Sequence, residues 1–176
     1  HRSFGSGYCV FNDLAICALL ARDEYGYERV AVLDLDVHQG DGTATILKGE
    51  DGIVTISVHC ENNFPFRKSA SDYDIPLPNG MRDEGYLRAV QEAMNILKTF
   101  SPDILLFQAG VDALEDDALG NLNVSKEGMR NRNDLVFSYL NCEIPCILFM
   151  GGGYSNPIMH SVDAFYDLFV AAAESN

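Results

Sequence analysis

Four short runs of Val, Ile, Leu and Phe, at 29–36, 53–58, 103–108 and 145–150, are separated by stretches with helical periodicity. Runs that are apolar at nearly every position, rather than at every second one, need cover on both faces, and that is how strands of a parallel sheet read. The intervening segments supply the crossovers. Residues 12–25 are rich in Ala and Leu, and 83–99 place Leu87, Val90, Ala93, Met94 and Leu97 at helical spacing. A third helix starts at Ser125 and a fourth covers 161–173. This alternation predicts one α/β domain with a mainly parallel sheet. Residues 61–81, punctuated by Pro65, Pro76 and Pro78, read as a long irregular connection, and loops of that length tend to be functional.

Composition narrows the function classes. No apolar run approaches the roughly 20 residues of a membrane-spanning helix. The net charge of −14, from 26 acidic and 12 basic residues, argues against direct contact with nucleic acid. It favours a cationic substrate such as a basic peptide or a polyamine, although simple solubility accounts for it equally well. The five cysteines are odd in number and form no C-x-x-C, so buried free thiols in a reducing compartment are expected. That compartment is taken as the cytoplasm, with nucleus or organelle left open for a eukaryotic chain. The chain opens on His1-Arg2-Ser3 with no initiator Met or signal-peptide pattern, as expected of a piece of something longer.

In open α/β sheets, ligands sit beyond the carboxyl ends of the strands. Those ends carry Asp34-Leu-Asp36-Val-His38, Ser57-Val-His59, Gly110-Val-Asp112 and Gly151-Gly-Gly-Tyr154. Along an extended chain, Asp34, Asp36 and His38 point together while Leu33, Leu35 and Val37 point the other way. Convergent carboxylates at a buried strand end are costly unless a cation neutralises them, and Asp112 can close the shell from a neighbouring strand. Three oxygen and nitrogen ligands with a position left open suit a catalytic zinc. The plainer option is an acidic strand end, with Asp34 and Asp36 solvated or capping backbone amides. Asp41, in the Gly40-Asp41-Gly42 turn, could orient an imidazole or cap the next helix. A nucleotide-binding loop is disfavoured, because Gly5-Ser-Gly7 lacks a third glycine and follows no strand.

The string VLDLDVHQGDGTA at 32–44 resembles the D-x-D-x-H-x-G-D-G signature of histone deacetylases and related bacterial deacetylases. GSGYCVFND at 5–13, AGVDALEDDALG at 109–120 and GGGY at 151–154 follow in the family's order. NFPFRK at 63–68 looks like the branch of small, single-domain bacterial or class IV-like members. The resemblance implies a three-layer α/β/α arginase/deacetylase fold, with the first strand, helices and a His-His pair absent before His1. It implies Zn2+ or Fe2+ on Asp36, His38 and Asp112, with Tyr154 donating to the oxyanion of the intermediate, a contact worth about 3–4 kcal/mol. Asp34 and Asp41 would support the His-His pair. A K+ or Na+ ion would sit among Asp34, Asp36, His38, Ser57 and Val58, and Gly7, Tyr8, Phe64 and Gly152 would line the acyl channel. The substrate would be an acylated lysine peptide, a polyamine or a small acylated amine, hydrolysed at its amide; homo-oligomer formation stays open.

One departure matters. The family's histidines lie ten and eleven residues before the position of Cys9, whereas His1 lies eight before it. Asp34 and Asp41 are therefore expected to lack imidazole partners. His59 reads as packed and His160 as exposed or capping. Losing a proton-transfer histidine typically costs about 10²–10⁴-fold in rate, so this chain alone is expected to bind zinc weakly or moderately and turn over poorly. A non-catalytic metal-binding module is the competing reading. An arginase-like manganese hydrolase is disfavoured, since it needs D-x-H-x-D strings and two metals.

Overall fold

A computed structural model describes residues 1–175. The element order is α1 (Asp13–Asp23), β1 (Val30–Asp34), α2 (Asp41–Leu47), β2 (Ile53–Cys60), β3 (Tyr73–Leu77), α3 (Asp83–Phe100), β4 (Ile104–Gln108), α4 (Lys126–Leu140), β5 (Cys146–Phe149) and α5 (Met159–Glu174). The strands form one sheet in the order β3-β2-β1-β4-β5, with every pairing parallel.

Each central strand feeds two cores, which is why its sequence shows no polar alternation. Val30 and Val32 of β1, with Ile104 and Leu106 of β4, pack under Leu14, Ala15, Ala18 and Ala21 of α1. The residues between them, Ala31, Leu33, Leu105 and Phe107, face the other way, into a larger core with Val90, Met94 and Leu97 of α3 and Val136 and Phe137 of α4. The three-layer arrangement follows, and each fully buried Leu or Phe contributes about 1.5–3 kcal/mol of hydrophobic stabilisation. Polar caps fix where the helices start. Asn12 accepts from the Ala15 N–H at 2.8 Å, and Ser125 accepts from the Gly128 N–H at 3.0 Å while donating to Asp83 at the head of α3.

Several expectations need correction. The connection 61–81 is not wholly irregular, because Tyr73–Leu77 forms edge strand β3. Pro76 is tolerated there because an edge strand has one side without a ladder partner. The Gly40-Asp41-Gly42 turn continues directly into the seven-residue α2. At the opposite edge, β5 is only partly covered, and Ile147 is 41% exposed. The layers on either face cover it incompletely, so it is not buried on both faces. Of the cysteines, Cys60 is buried and Cys17 and Cys146 are half-buried, but Cys9 and Cys142 are exposed; all five are free thiols.

Candidate metal centre

The strand assignment of β1 stops at Asp34, but the chain stays docked between its neighbours. Leu35 N–H donates to the Gln108 carbonyl at 3.0 Å, and the Val37 carbonyl accepts from Cys60 N–H at 2.9 Å. The expected alternation survives this bent extension. Leu35 and Val37 are wholly buried in the larger core, while Asp36 and His38 turn toward a cavity.

There they meet Asp112, which is completely buried beyond the end of β4. His38 Nδ1 lies 3.0 Å from Asp36 Oδ1 and 3.1 Å from Asp112 Oδ2. Asp112 Oδ1 accepts the Val37 N–H at 2.8 Å, so its carboxylate is fastened to the backbone between the other two residues. One ligand atom from each of the three lies within 4.8 Å of the others. The loop 151–153 closes the other side: Gly152 N–H donates to Asp36 Oδ2 at 2.8 Å, and a side chain at Gly152 would strike the Asp112 carboxylate. Gly152 is thus a structural requirement of the site as well as a wall residue.

The titration behaviour shows crowded negative charge. Burial raises the Asp34 carboxyl well above its usual range, and the neighbouring Asp36 charge pushes the same way. Burial and the Asp36 charge raise Asp112 to about 7. Burial also pushes Asp36 upward, but hydrogen bonds and charge from His38 outweigh it and hold Asp36 below the ordinary carboxylate value. For His38 burial works downward, and the hydrogen bonds it donates to Asp112 and Asp36, with their charges, overcome it and raise the imidazole to about 10. A proton on His38 therefore does, in part, what a cation would do. Two carboxylates and an imidazole converging on one point, with a third carboxylate behind them, fit a divalent ion in number and type of donor.

The cavity above this cluster has a volume of about 990 Å³ and is lined by Gly7, Tyr8, Phe64, Gly152 and Tyr154 among others. The sequence-predicted channel residues are therefore assembled around the cluster. Tyr8 is 85% exposed and Phe64 is also exposed. Tyr154 meets Tyr8 edge-on at 6.1 Å between ring centroids. Its hydroxyl is raised by burial and by the charges of Asp36 and Asp112, which keeps it a proton donor at neutral pH. Its backbone N–H is anchored by Asp117 Oδ2 at 2.7 Å.

Asp41 is not without an imidazole. His1 Nε2 lies 3.1 Å from Asp41 Oδ2, with the His1 ring stacked on Phe4 at 4.2 Å. The chain before Gly5 folds back against α2, which sequence spacing alone does not convey. Asp34 instead receives the Asp36 N–H at 3.1 Å, with no imidazole bonded to it among the described residues. Ser57 sits opposite Asp34 in the β1–β2 register, with Val58 next to it. The Ser57 hydroxyl bonds to His59 Nδ1 at 2.9 Å, and His59 is buried as expected. His160 is exposed and pairs with Asp116 at 2.8 Å.

Two contributors escaped the sequence reading. Asn63 donates to the Leu119 carbonyl at 2.6 Å, accepts from Asn121 N–H at 3.0 Å and stands 3.4 Å from His38 Nε2. Asp117, besides holding Tyr154, caps the N–H groups of Leu119 and Gly120. Both lie within strings singled out above, but only the fold reveals what they touch.

Comparison with known proteins gives the family. The family profile described as "Histone deacetylase domain" matches residues 1–168. The chain belongs to the histone deacetylase family. It is 31% identical over 155 residues to Histone deacetylase 2 of Arabidopsis thaliana, covering 85% of this chain and 40% of that protein. An uncharacterised protein of Picosynechococcus sp. is 41% identical over 157 residues, covering 88% and 52%. Among solved structures, an acetylpolyamine aminohydrolase from Burkholderia pseudomallei superposes with a TM-score of 0.82 at 26% identity, over 95% of this chain and 51% of that one. An HDAC homologue complexed with SAHA gives 0.82 and 26% over 97% and 49%. This histone deacetylase family chain thus spans about half the length of the relatives it matches, and the shared structure is the α/β architecture described above.

Proposed function

We propose that the protein is a metal-dependent amidohydrolase that removes an acyl group from an amine, and that this chain carries its metal-holding part. The observation that carries the reading is the convergence of Asp36, His38 and Asp112 beneath a cavity whose wall includes Tyr154. Those three side chains would hold one Zn2+ or Fe2+. Such an ion supplies Lewis acidity, polarising a carbonyl oxygen and making water a better nucleophile near neutral pH. Tyr154 donates a hydrogen bond to the oxygen on which negative charge develops. Asp112, fixed through Val37 N–H, and Asp36, fixed through Gly152 N–H, keep their carboxylates aimed without reorganisation. Asp41 orients an imidazole. By the family pattern, proton transfer belongs to a histidine pair that precedes the glycine-rich string. A K+ or Na+ ion among Asp34, Asp36, His38, Ser57 and Val58 completes the reading.

The acidic surface and the aromatic wall of Tyr8, Phe64 and Tyr154 suit a slender cationic substrate: an acylated lysine peptide, a polyamine or a small acylated amine. The printed names of the relatives, an acetylpolyamine aminohydrolase among them, support that class. A reducing compartment such as the cytoplasm suits the free thiols. A second reading is a metal-binding module without turnover. The deciding experiment assays the full-length protein on acetyl-lysine peptide and acetylated polyamine, with and without a hydroxamate. Hydrolysis that the hydroxamate blocks, that Asp112→Ala abolishes and that Tyr154→Phe lowers by about 10²–10³-fold is expected. Turnover indifferent to the hydroxamate and to Asp112→Ala contradicts the proposal. Stoichiometric metal without turnover selects the second reading.

A further inference from the structure

The largest of the fully buried side chains is a guanidinium, that of Arg132 on α4. No carboxylate pairs with it among the described residues. Its Nη1 donates to the Gly110 carbonyl at 2.6 Å, its Nη2 reaches the Ala109 carbonyl at 3.5 Å, and Nε and Nη2 both donate to Asn133 Oδ1, at 3.1 and 2.9 Å. The Phe107 ring lies 5.6 Å beneath its central carbon. A buried charge without a counter-ion is expensive to keep, and a solvated arginine on the helix surface would avoid that cost. Its placement therefore calls for an account in terms of what it holds.

It holds the approach to the metal ligand Asp112. The Gly110 carbonyl and the Val111 N–H belong to one peptide plane. Arg132 grips the first, while the Gly152 carbonyl accepts from the second at 2.7 Å. Pinned from both sides, that plane fixes the direction in which the chain delivers Asp112, one residue later. The same glycine is packed against the second ligand: a Cβ on Gly110 would stand 2.6 Å from Asp36 Oδ2 and 3.1 Å from Asp36 Cα. A Cβ on Gly151 would in turn come within 2.8 Å of Gly110 Cα. Asp36, Asp112 and the glycine loop thus meet at one peptide, and Arg132 is the side chain that anchors it from the α4 side. The electrostatics agree with that placement. The buried Tyr86 hydroxyl, raised chiefly by burial, is drawn down by Arg132 and pushed up by Asp112 and Asp36, so guanidinium and carboxylates share one neighbourhood.

We propose that Arg132 is a positioning residue of the metal centre, which locks the 110–111 peptide so that Asp112 and Asp36 present their carboxylates at one point. The proposal rests on the metal-centre reading above, and its test separates the two. In the full-length protein, cobalt affinity by chelator competition and the cobalt d–d absorption band are measured for the wild type, Arg132→Met, Arg132→Lys, Phe107→Leu and Asp112→Ala. Arg132→Met is expected to lose about 10–100-fold in affinity, as supporting groups around metal ligands do, with a changed band. Arg132→Lys, able to reach one carbonyl, recovers most of the affinity while keeping an altered band. Phe107→Leu loosens the same layer without touching the Gly110 carbonyl, and it leaves affinity and band unchanged. Wild-type affinity and band in Arg132→Met overturn the proposal, as does an equal loss in Phe107→Leu. If Arg132→Met does not fold, an unchanged band in Arg132→Lys overturns it, and an altered band there with none in Phe107→Leu supports it. A wild type that takes up no cobalt overturns the metal-centre reading and this inference together, whereas binding lost only in Asp112→Ala overturns this inference alone.

Discussion

The middle of the sheet and its β5 side are built differently. β1, β2 and β4 bury nearly every residue on both faces, and Asp36 and His38 follow β1 while Asp112 follows β4. On the other side, β5 is partly covered and α5 exposes Met159, Val162, Tyr166 and Phe169, while residues 1–11, docked on α2 through His1, expose Phe4, Tyr8, Val10 and Phe11. Met150 and Tyr154, which follow β5, and Tyr8 of residues 1–11 form part of the cavity wall. The contrast separates two tasks. Ligand carboxylates must be held rigidly and away from water, which needs cover from two layers. Wall residues need only face the cavity, and their apolar neighbours remain available for packing.

The first way to break that comparison is to cut into each region in turn. Leu33→Ala, in the middle of β1, is expected to cost about 2–5 kcal/mol in urea unfolding. A cost near zero would mean that the centre does not carry the fold.

Next in size is the pH dependence of the metal-free protein. The folded His38 imidazole is raised to about 10 from the ordinary 6.5, so its contribution is complete below 6.5 and disappears as pH climbs through 10. Asp112, raised to about 7 from 3.8, acts in the same sense at lower pH, its contribution vanishing as pH rises through 7. The melting temperature in chelator should therefore fall between pH 6 and pH 9. Added zinc should flatten the curve, because it takes the place of those protons. A metal-free protein with a level profile over that range would show that the cluster is not coupled as described.

Two smaller effects sharpen the contrast. Asn12→Ala removes the cap of α1, and with it the side-chain bond to Thr43 at the head of α2; about 1 kcal/mol is expected. Ile147→Ala, on the open edge of β5, should change stability by less than about 0.5 kcal/mol. A loss there as large as at Leu33 would erase the distinction between the two regions.

How much could be read beforehand follows the same line. β1, β2 and β4 were legible because burial on two faces leaves uninterrupted apolar runs. β3 was not, since an exposed edge strand tolerates Asp74 and Pro76, which resemble a loop. β5 is a strand as its apolar run indicates, but the run alone says nothing about whether a neighbour covers it. The convergence of Asp36, His38 and Asp112 is legible from strand ends that collect Asp and His. The His1–Asp41 pair and the Asn63 bridge were not, because contacts between distant segments depend on how loops fold back. Arg132 left no trace at all: an arginine within Lys126–Leu140 looks like part of a solvated helix face, and only the structure turns it inward.

Metal content tests the central claim most directly. The purified full-length protein, dialysed and titrated with zinc, should take up one equivalent per chain. Asp36→Asn and Asp112→Asn, which keep side-chain size, should abolish uptake with the far-ultraviolet circular dichroism unchanged. A protein that binds no divalent ion, or that keeps its full equivalent in both variants, contradicts the account.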